Sequence, residues 1–235
     1  MITFLCPTRN RPQGLRRLIH SAVNFSSGYM PISFGFYIDE DDTVSEEAIN
    51  SIRKETFASI WFIRGPRLHQ LSEASNILAR ATEHDIMFFC GDDVEVTTLN
   101  WDRYVYEEFN KYPDKILLVY GDDGIQHSRL ATHFFIHKNW VNTLGHVLPP
   151  VFTGDWVDNW VTEVATSLGR IKYLPDVKLP HHHCTVGKSQ VDLTYLEKFN
   201  KDRLHNPAKV FEDTKSLRVN DTIKLKQFID NHGKA

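Results

Sequence analysis

Residues 86–94 read Ile-Met-Phe-Phe-Cys-Gly-Asp-Asp-Val. Ile86–Cys90 is an unbroken apolar run that stops at Gly91-Asp92-Asp93. A short apolar run closed by a turn signal reads as a buried strand. In open α/β sheets, ligands bind outside the carboxyl ends of such strands. Upstream, Ile2–Cys6, Ile32–Ile38 and Ser59–Ile63 have the same character, and downstream Ile116–Tyr120 does. Helical patterns separate them. Pro12–Phe25 puts Leu15, Leu18, Ile19 and Ala22 on one face, Ser45–Phe57 opens on Ser45 as a cap, and 70–82 carries Leu71, Ala74, Ser75, Leu78 and Ala81. This alternation predicts an α/β fold, a mostly parallel, doubly wound sheet with helices on both faces.

Farther along, Thr132–His137 and Ile171–Leu174 read as strands and Trp156–Leu168 as a helix. Beyond Pro180 the chain turns polar, with helical patterns near 192–203 and 221–231. One domain over 1–185, with a basic, partly helical C-terminal extension over 186–235 packed on it, is the simplest organisation. The chain has 235 residues, 41 % hydrophobic and 24 % charged. That excludes collagen-like, coiled-coil and disordered classes. No stretch approaches the roughly 18 apolar residues of a spanning helix. Cys6, Cys90 and Cys184 are odd in number and far apart, which suits reduced thiols and a cytoplasmic location. The net charge of −3 is unevenly spread. Residues 1–169 carry 14 Lys and Arg against 22 Asp and Glu, a balance of −8; residues 170–235 carry 13 against 8, a balance of +5.

The predicted strand ends are all polar. Pro7-Thr8-Arg9-Asn10-Arg11 follows the first strand, Asp39-Glu40-Asp41-Asp42 the second, Arg64-Gly65-Pro66-Arg67 the third and Gly91-Asp92-Asp93 the fourth. A lone loop aspartate usually caps a helix or closes a turn. Arginines and carboxylates converging on one edge instead suggest an anionic ligand with a divalent cation, since carboxylates alone repel phosphate. The glycine fingerprints of dinucleotide folds and P-loops are both missing,. Phosphate would therefore be held by arginine and metal.

These motifs, in this order, resemble those of GT-A-fold nucleotide-sugar glycosyltransferases, close in pattern to family 2. The likeness covers about residues 1–185. It rests on Pro7–Pro12, on Tyr37-Ile38-Asp39, on Arg67–Asn76, on Phe89–Val94 and on Trp101. It implies that Asp39 reads the nucleobase, that Asp93 holds Mn²⁺ or Mg²⁺ on the diphosphate, and that Asp92 lies near the ribose or donor sugar. Pro7, Thr8, Arg9, Arg11, Arg67 and Asn76 would line the nucleotide pocket. Tyr120-Gly121-Asp122-Asp123-Gly124 repeats the Gly-Asp-Asp string. Asp-Gly after a strand is a turn signal, and Asp122-Asp123 stands as the rival metal motif.

The same resemblance implies an acidic general base near Gly154-Asp155-Trp156-Val157-Asp158. A sugar hydroxyl attacks well only when a carboxylate accepts its proton. Asp155 is the first choice and Asp158 the second, although either could cap the helix or complement its dipole. Trp156 would cover the acceptor, because indole rings suit the apolar faces of sugars. The likeness also implies a late histidine ligand within His181-His182-His183. Side chains alternate along an extended chain, so His183 and His181 can share an ion while His182 cannot. Histidine beside carboxylate oxygen favours Mn²⁺. Gly187-Lys188 would form a lid, with Lys188 over the diphosphate.

The expected activity is transfer of a sugar from a nucleotide-diphosphate donor to a hydroxyl acceptor, and the resemblance implies inversion at the anomeric carbon. The acceptor expected is a glycan, a small molecule or, given the basic segment, hydroxymethylated DNA. A sugar-phosphate nucleotidyltransferase is the main rival, but Pro7–Arg11 lacks its glycine-rich loop. A non-catalytic nucleotide- or glycan-binding module is the third reading.

Overall fold

Ile2–Thr8 (β1) lies inside a seven-stranded sheet, in a computed structural model that describes residues 1–233. The other strands are Ile32–Asp39 (β2), Ser59–Gly65 (β3), Ile86–Phe89 (β4), Leu118–Asp122 (β5), Phe134–His137 (β6) and Ile171–Lys178 (β7). Their order is β3-β2-β1-β4-β6-β5-β7. Strand β6 runs antiparallel to both β4 and β5, and the other pairs are parallel. The chain leaves β1 toward β2 and β3, then returns to place β4 on the other side of β1. That reversal makes the β1/β4 boundary the switch point, where a crevice opens at the carboxyl ends.

The helices are Pro12–Asn24 (α1), Thr43–Ile52 (α2), Leu71–Ala81 (α3), Trp101–Asn110 (α4), Lys138–Leu144 (α5), Val157–Ser167 (α6), Leu193–His205 (α7), Pro207–Asp213 (α8) and Lys215–His232 (α9). Strand alternation divides the core into two layers. Phe4, Phe34, Phe36, Phe88 and Phe135 face one side with Trp101, Val105 and Phe109 of α4. Leu5, Met87, Phe89 and Ile136 face the other with Leu78 of α3, Trp160 of α6 and Leu225 of α9. The expected α/β sheet with helices on both faces is present.

Several local expectations need correction. Helix α2 starts at Thr43, because Asp42, not Ser45, accepts the Ser45 N–H at 3.0 Å. It stops at Ile52, and Phe57 is fully exposed. Helix α4 follows from no strong pattern. Its buried positions Trp101, Val105 and Phe109 recur every four residues, a narrow stripe in a polar segment. Strand β7 runs on through Pro175 to Lys178, which an edge strand tolerates.

Candidate functional site

The switch point opens into a cavity of about 370 Å³. That volume suits a small-molecule ligand. From the end of β1 come Pro7, Thr8, Arg9 and Arg11; from β2, Asp39; from the segment after β3, Arg67; and from the loop after β4, Asp92 and Asp93. Helix α1 presses on that last loop at Gly14, where a Cβ would stand 2.6 Å from the Asp92 carbonyl oxygen. Larger residues at 14 would therefore displace the Asp92 backbone.

Each carboxylate is placed by specific donors. Arg9 Nη1 donates to Asp39 Oδ2 at 2.8 Å, and Arg67 Nε lies 3.8 Å from the same oxygen. Burial raises Asp39 above the usual carboxylate range despite Arg9. Thr8 Oγ1 donates to Asp92 at 2.6 Å and Arg11 Nη1 at 3.1 Å. Burial, opposed by Arg11 and reinforced by neighbouring Asp93, pushes Asp92 up to about 6. Burial acts on Asp93 in the same direction, but His181 and the Tyr195 hydroxyl outweigh it and hold it well below the usual range. Tyr195 donates to Asp93 Oδ2 at 2.8 Å, and His181 Nε2 lies 3.2 Å from that oxygen.

His181 reaches Asp93 through backbone pairing. The chain leaving β7 lies antiparallel beside the loop after β4, bridged at Val94 and His181. His182 N donates to the Asp93 carbonyl at 2.8 Å, and His181 N to that of Asp123 at 3.0 Å. His182 turns away to Glu95, at 2.8 Å.

One nitrogen each from His133 and His181 and one Asp93 oxygen lie within 4.8 Å of one another, a group able to hold a metal ion. His133 is buried, its Nε2 has no hydrogen-bond partner among the described residues, and burial lowers its pKa to about 3, which keeps the ring neutral. The expected partner of His181 was His183. That ring instead hydrogen-bonds Thr185 Oγ1 at 2.8 Å and accepts the Thr185 N–H, capping the short turn over 184–186. It lines the cavity outside the group of three.

Asp122 and Asp123 close a turn. Asp123 Oδ1 accepts three backbone N–H groups, from Ile125, Gln126 and His127, at 2.7–3.0 Å. Asp122 pairs with Lys178 at 2.8 Å. Neither lines the cavity, so the rival metal motif is not part of it.

Three further expectations are displaced. Asn76 does not line the cavity. Its amide donates to Leu148 O at 2.7 Å and accepts from Val147 N at 2.8 Å, tying α3 to the segment before α6. Trp156 turns from the cavity and packs on Phe211, with ring centroids 5.0 Å apart. Its φ of +73° places it in the left-handed region before α6. Lys188 is exposed, its ammonium beside Gly124 and outside the cavity lining.

Asp155 and Asp158 both reach the cavity. Asp155 is exposed and ion-paired to Lys198. Asp158 has no ion-pair partner within 4 Å among the described residues, and burial pushes it up to about 6. Its Oδ1 accepts the Asn159 N–H at 2.9 Å.

Helix α7 closes the far wall with Thr194, Tyr195, Glu197, Lys198 and Lys201. Asp192 caps it by accepting the Tyr195 N–H at 2.8 Å and also holds Arg11 at 2.8 Å. The Arg11 guanidinium stacks 4.0 Å over the Tyr195 ring. These α7 residues were missed in sequence, where the segment reads only as polar and weakly helical.

A family model described as glycosyl transferase family 2 matches residues 3–192. No curated protein matches the chain in sequence. Among solved structures, the chain is similar to a mannosyltransferase from Pyrobaculum calidifontis in complex with GDP-Man and Mn²⁺, at 11% identity and TM-score 0.63. That likeness covers 77% of this chain and 56% of the other. It is also similar to S. aureus TarS 1–349 in complex with UDP-GlcNAc, at 12% identity and TM-score 0.57, covering 87% and 66%. The same TarS fragment with UDP gives 12% and 0.57, covering 76% and 59%. The chain thus spans roughly three-fifths of the length of these structures.

Proposed function

We propose that this chain, which belongs to glycosyl transferase family 2, transfers a sugar from a nucleotide-diphosphate donor to a hydroxyl acceptor, with inversion at the anomeric carbon. The observation that carries this reading is the convergence of Asp39, the Arg9–Arg11 pair, Asp92-Asp93 and Asp158 on one cavity at the switch point. Asp39 with Arg9 and Arg67 faces the nucleobase. Arg11 lies toward the diphosphate. Neighbours of this fold were solved with GDP-Man and Mn²⁺, with UDP and with UDP-GlcNAc, which fits a nucleotide-sugar donor.

Asp158 acts as the general base, ahead of Asp155. A base needs an uncommitted carboxylate with a raised pKa still below the working pH. Asp158 has both properties, whereas Lys198 holds Asp155. The acceptor oxygen attacks the anomeric carbon as Asp158 takes its proton, and the carbon–phosphate-oxygen bond breaks to release the nucleoside diphosphate. A divalent cation at Asp93 and His181 would offset charge on that leaving group, a Lewis-acid role. Helix α7 is then part of the catalytic unit, because it walls the cavity. The three cysteines are free, in keeping with a reducing, cytoplasmic setting. No helix among the described residues is long and apolar enough to cross a membrane.

A saccharide or small-molecule hydroxyl is favoured as acceptor over a DNA base. Five of the thirteen Lys and Arg in 170–235 are paired with carboxylates of the chain: Arg170 with Asp114, Lys178 with Asp122, Lys198 with Asp155 and Asp202, Lys209 with Asp213 and Arg218 with Glu163. The test of the donor reading is a thermal-shift panel of nucleoside diphosphates and nucleotide-sugars, with and without MnCl₂. A ligand at a hundredfold excess over its dissociation constant stabilises by about 2.7 kcal/mol. One base should stand out, and only with the cation. A flat response across the panel overturns the reading.

A further inference from the structure

His133 is the buried group that the donor reading leaves without a task. It is 8% exposed, and its Nε2 is buried with no hydrogen-bond partner among the described residues. Buried polar atoms are rarely left so, because each costs about 1–3 kcal/mol. The ring meets His181 edge to face, with centroids 4.5 Å apart. Its position follows from topology. Strand β6 is antiparallel to β4, so the residue just before β6 lies at the edge where β4 ends. His133 therefore meets Asp93 and the His181 segment bridged to its loop at that one edge.

We propose that His133 is a third protein ligand, so that Asp93, His133 and His181 together hold a divalent ion of borderline hardness before any nucleotide binds. The inference rests on the proposed donor reading of this cavity and adds order and selectivity to it. A single carboxylate holds such an ion weakly and leaves the diphosphate to supply most of the shell. Three donors within 4.8 Å of one another could hold the ion without help from the diphosphate and would leave room in its shell for phosphate oxygen and water. Two imidazoles and one carboxylate are the donor set of divalent first-row transition metals. Mg²⁺ is poorly served, since it takes oxygen ligands and keeps its waters.

The test uses the full chain stripped of metal by a chelator, without nucleotide. MnCl₂ is titrated in, and free Mn²⁺ is read from its electron paramagnetic resonance signal. One equivalent should bind, and pulsed spectra of the bound ion should show nitrogen couplings from two imidazoles. MgCl₂ at a hundredfold excess should leave it in place. His133→Gln should weaken binding at least about tenfold, the lower end of what even an outer partner of a metal ligand is worth. Should that variant fail to fold, the imidazole couplings of the unaltered chain decide the matter. Mn²⁺ that stays free until UDP or GDP is added, couplings from fewer than two imidazoles, or equal competition by Mg²⁺ overturns the inference and leaves the donor reading standing. Failure to bind any nucleoside diphosphate of the panel with any metal removes the donor reading and, where Mn²⁺ also stays free, the inference with it.

Discussion

Asp155 and Asp158 lie three residues apart, yet they differ in what surrounds them. Lys198 neutralises the first, and burial raises the second to about 6. Asp158→Asn should therefore lower turnover by roughly 10²–10⁴ with donor affinity kept. In the unaltered chain, turnover should fall as pH drops below about 6, because the base works only when ionised. Stability should move the opposite way. A folded pKa above the ordinary aspartate value means that the folded state holds its proton more tightly than the unfolded chain. The charged form costs stability that grows as pH rises from about 4 through about 6. Asp158→Asn should thus raise stability by up to about 3 kcal/mol above that window and by nothing below it. Melting curves at pH 4 and 7 with single-turnover rates check both halves. A variant with full activity reassigns Asp158 to helix capping. What was legible at this scale follows strand direction. Arg9, Asp39 and Asp93 follow parallel strands, so a sequence reader finds them by finding the strand ends. His133 precedes an antiparallel strand and occupies the same edge, but only knowledge of that direction reveals it. Asn76 and Trp156 are the converse. Their residue types suit ligands, and tertiary packing turns both to structural use.

Helix α7 shows what a weak pattern conceals. Its sequence is polar and its buried residues are few, Tyr195 and Asp202, so periodicity marks only a surface helix. The side that periodicity ignores faces the cavity, where polar residues are wanted. Asp192 fixes it at one end by two separable interactions. Asp192→Ala removes the cap and the Arg11 pair, and should cost about 1 kcal/mol of stability. Asp192→Asn keeps a capping side chain and loses only the ion pair, so most of that stability should remain. Both variants take one of three holds from Arg11, leaving Asp92 and the Tyr195 ring, and should bind nucleoside diphosphate more weakly than the unaltered chain. Urea unfolding with calorimetric titration distinguishes the two effects. Equal affinity in all three proteins would show that Arg11 needs no such anchor. Strands β1 to β4 were readable for the opposite reason. Their runs are apolar on both faces, because each layer of the core covers one side of the sheet.

The family model ends at residue 192, but the cavity and the core do not. Helix α7 lies beyond that limit and supplies a wall of the site, while α9 packs on α5 and α6 and contributes no residue to the cavity. The two helices therefore separate stability from binding. Removing 215–235 takes away Leu225, fully buried, and uncovers Trp160, whose indole N–H donates to Asp221 at 3.2 Å. Full burial of one such aliphatic side chain is worth about 1.5–3 kcal/mol, and exchanging the indole hydrogen bond for one to water adds about 0.5–1.5 kcal/mol. Against a typical total of about 5–15 kcal/mol, the shortened chain should be much less stable but still able to fold at low temperature. Its folded fraction should bind nucleoside diphosphate with unchanged affinity. Removing 193–235 also takes Tyr195 from Asp93 and Arg11 and opens the cavity to solvent. That chain should lose affinity even where circular dichroism reports native secondary structure. Normal binding by a chain ending at 192 would mean that the C-terminal segment only props the sheet, and that Tyr195 and the α7 lysines have no part in holding the donor.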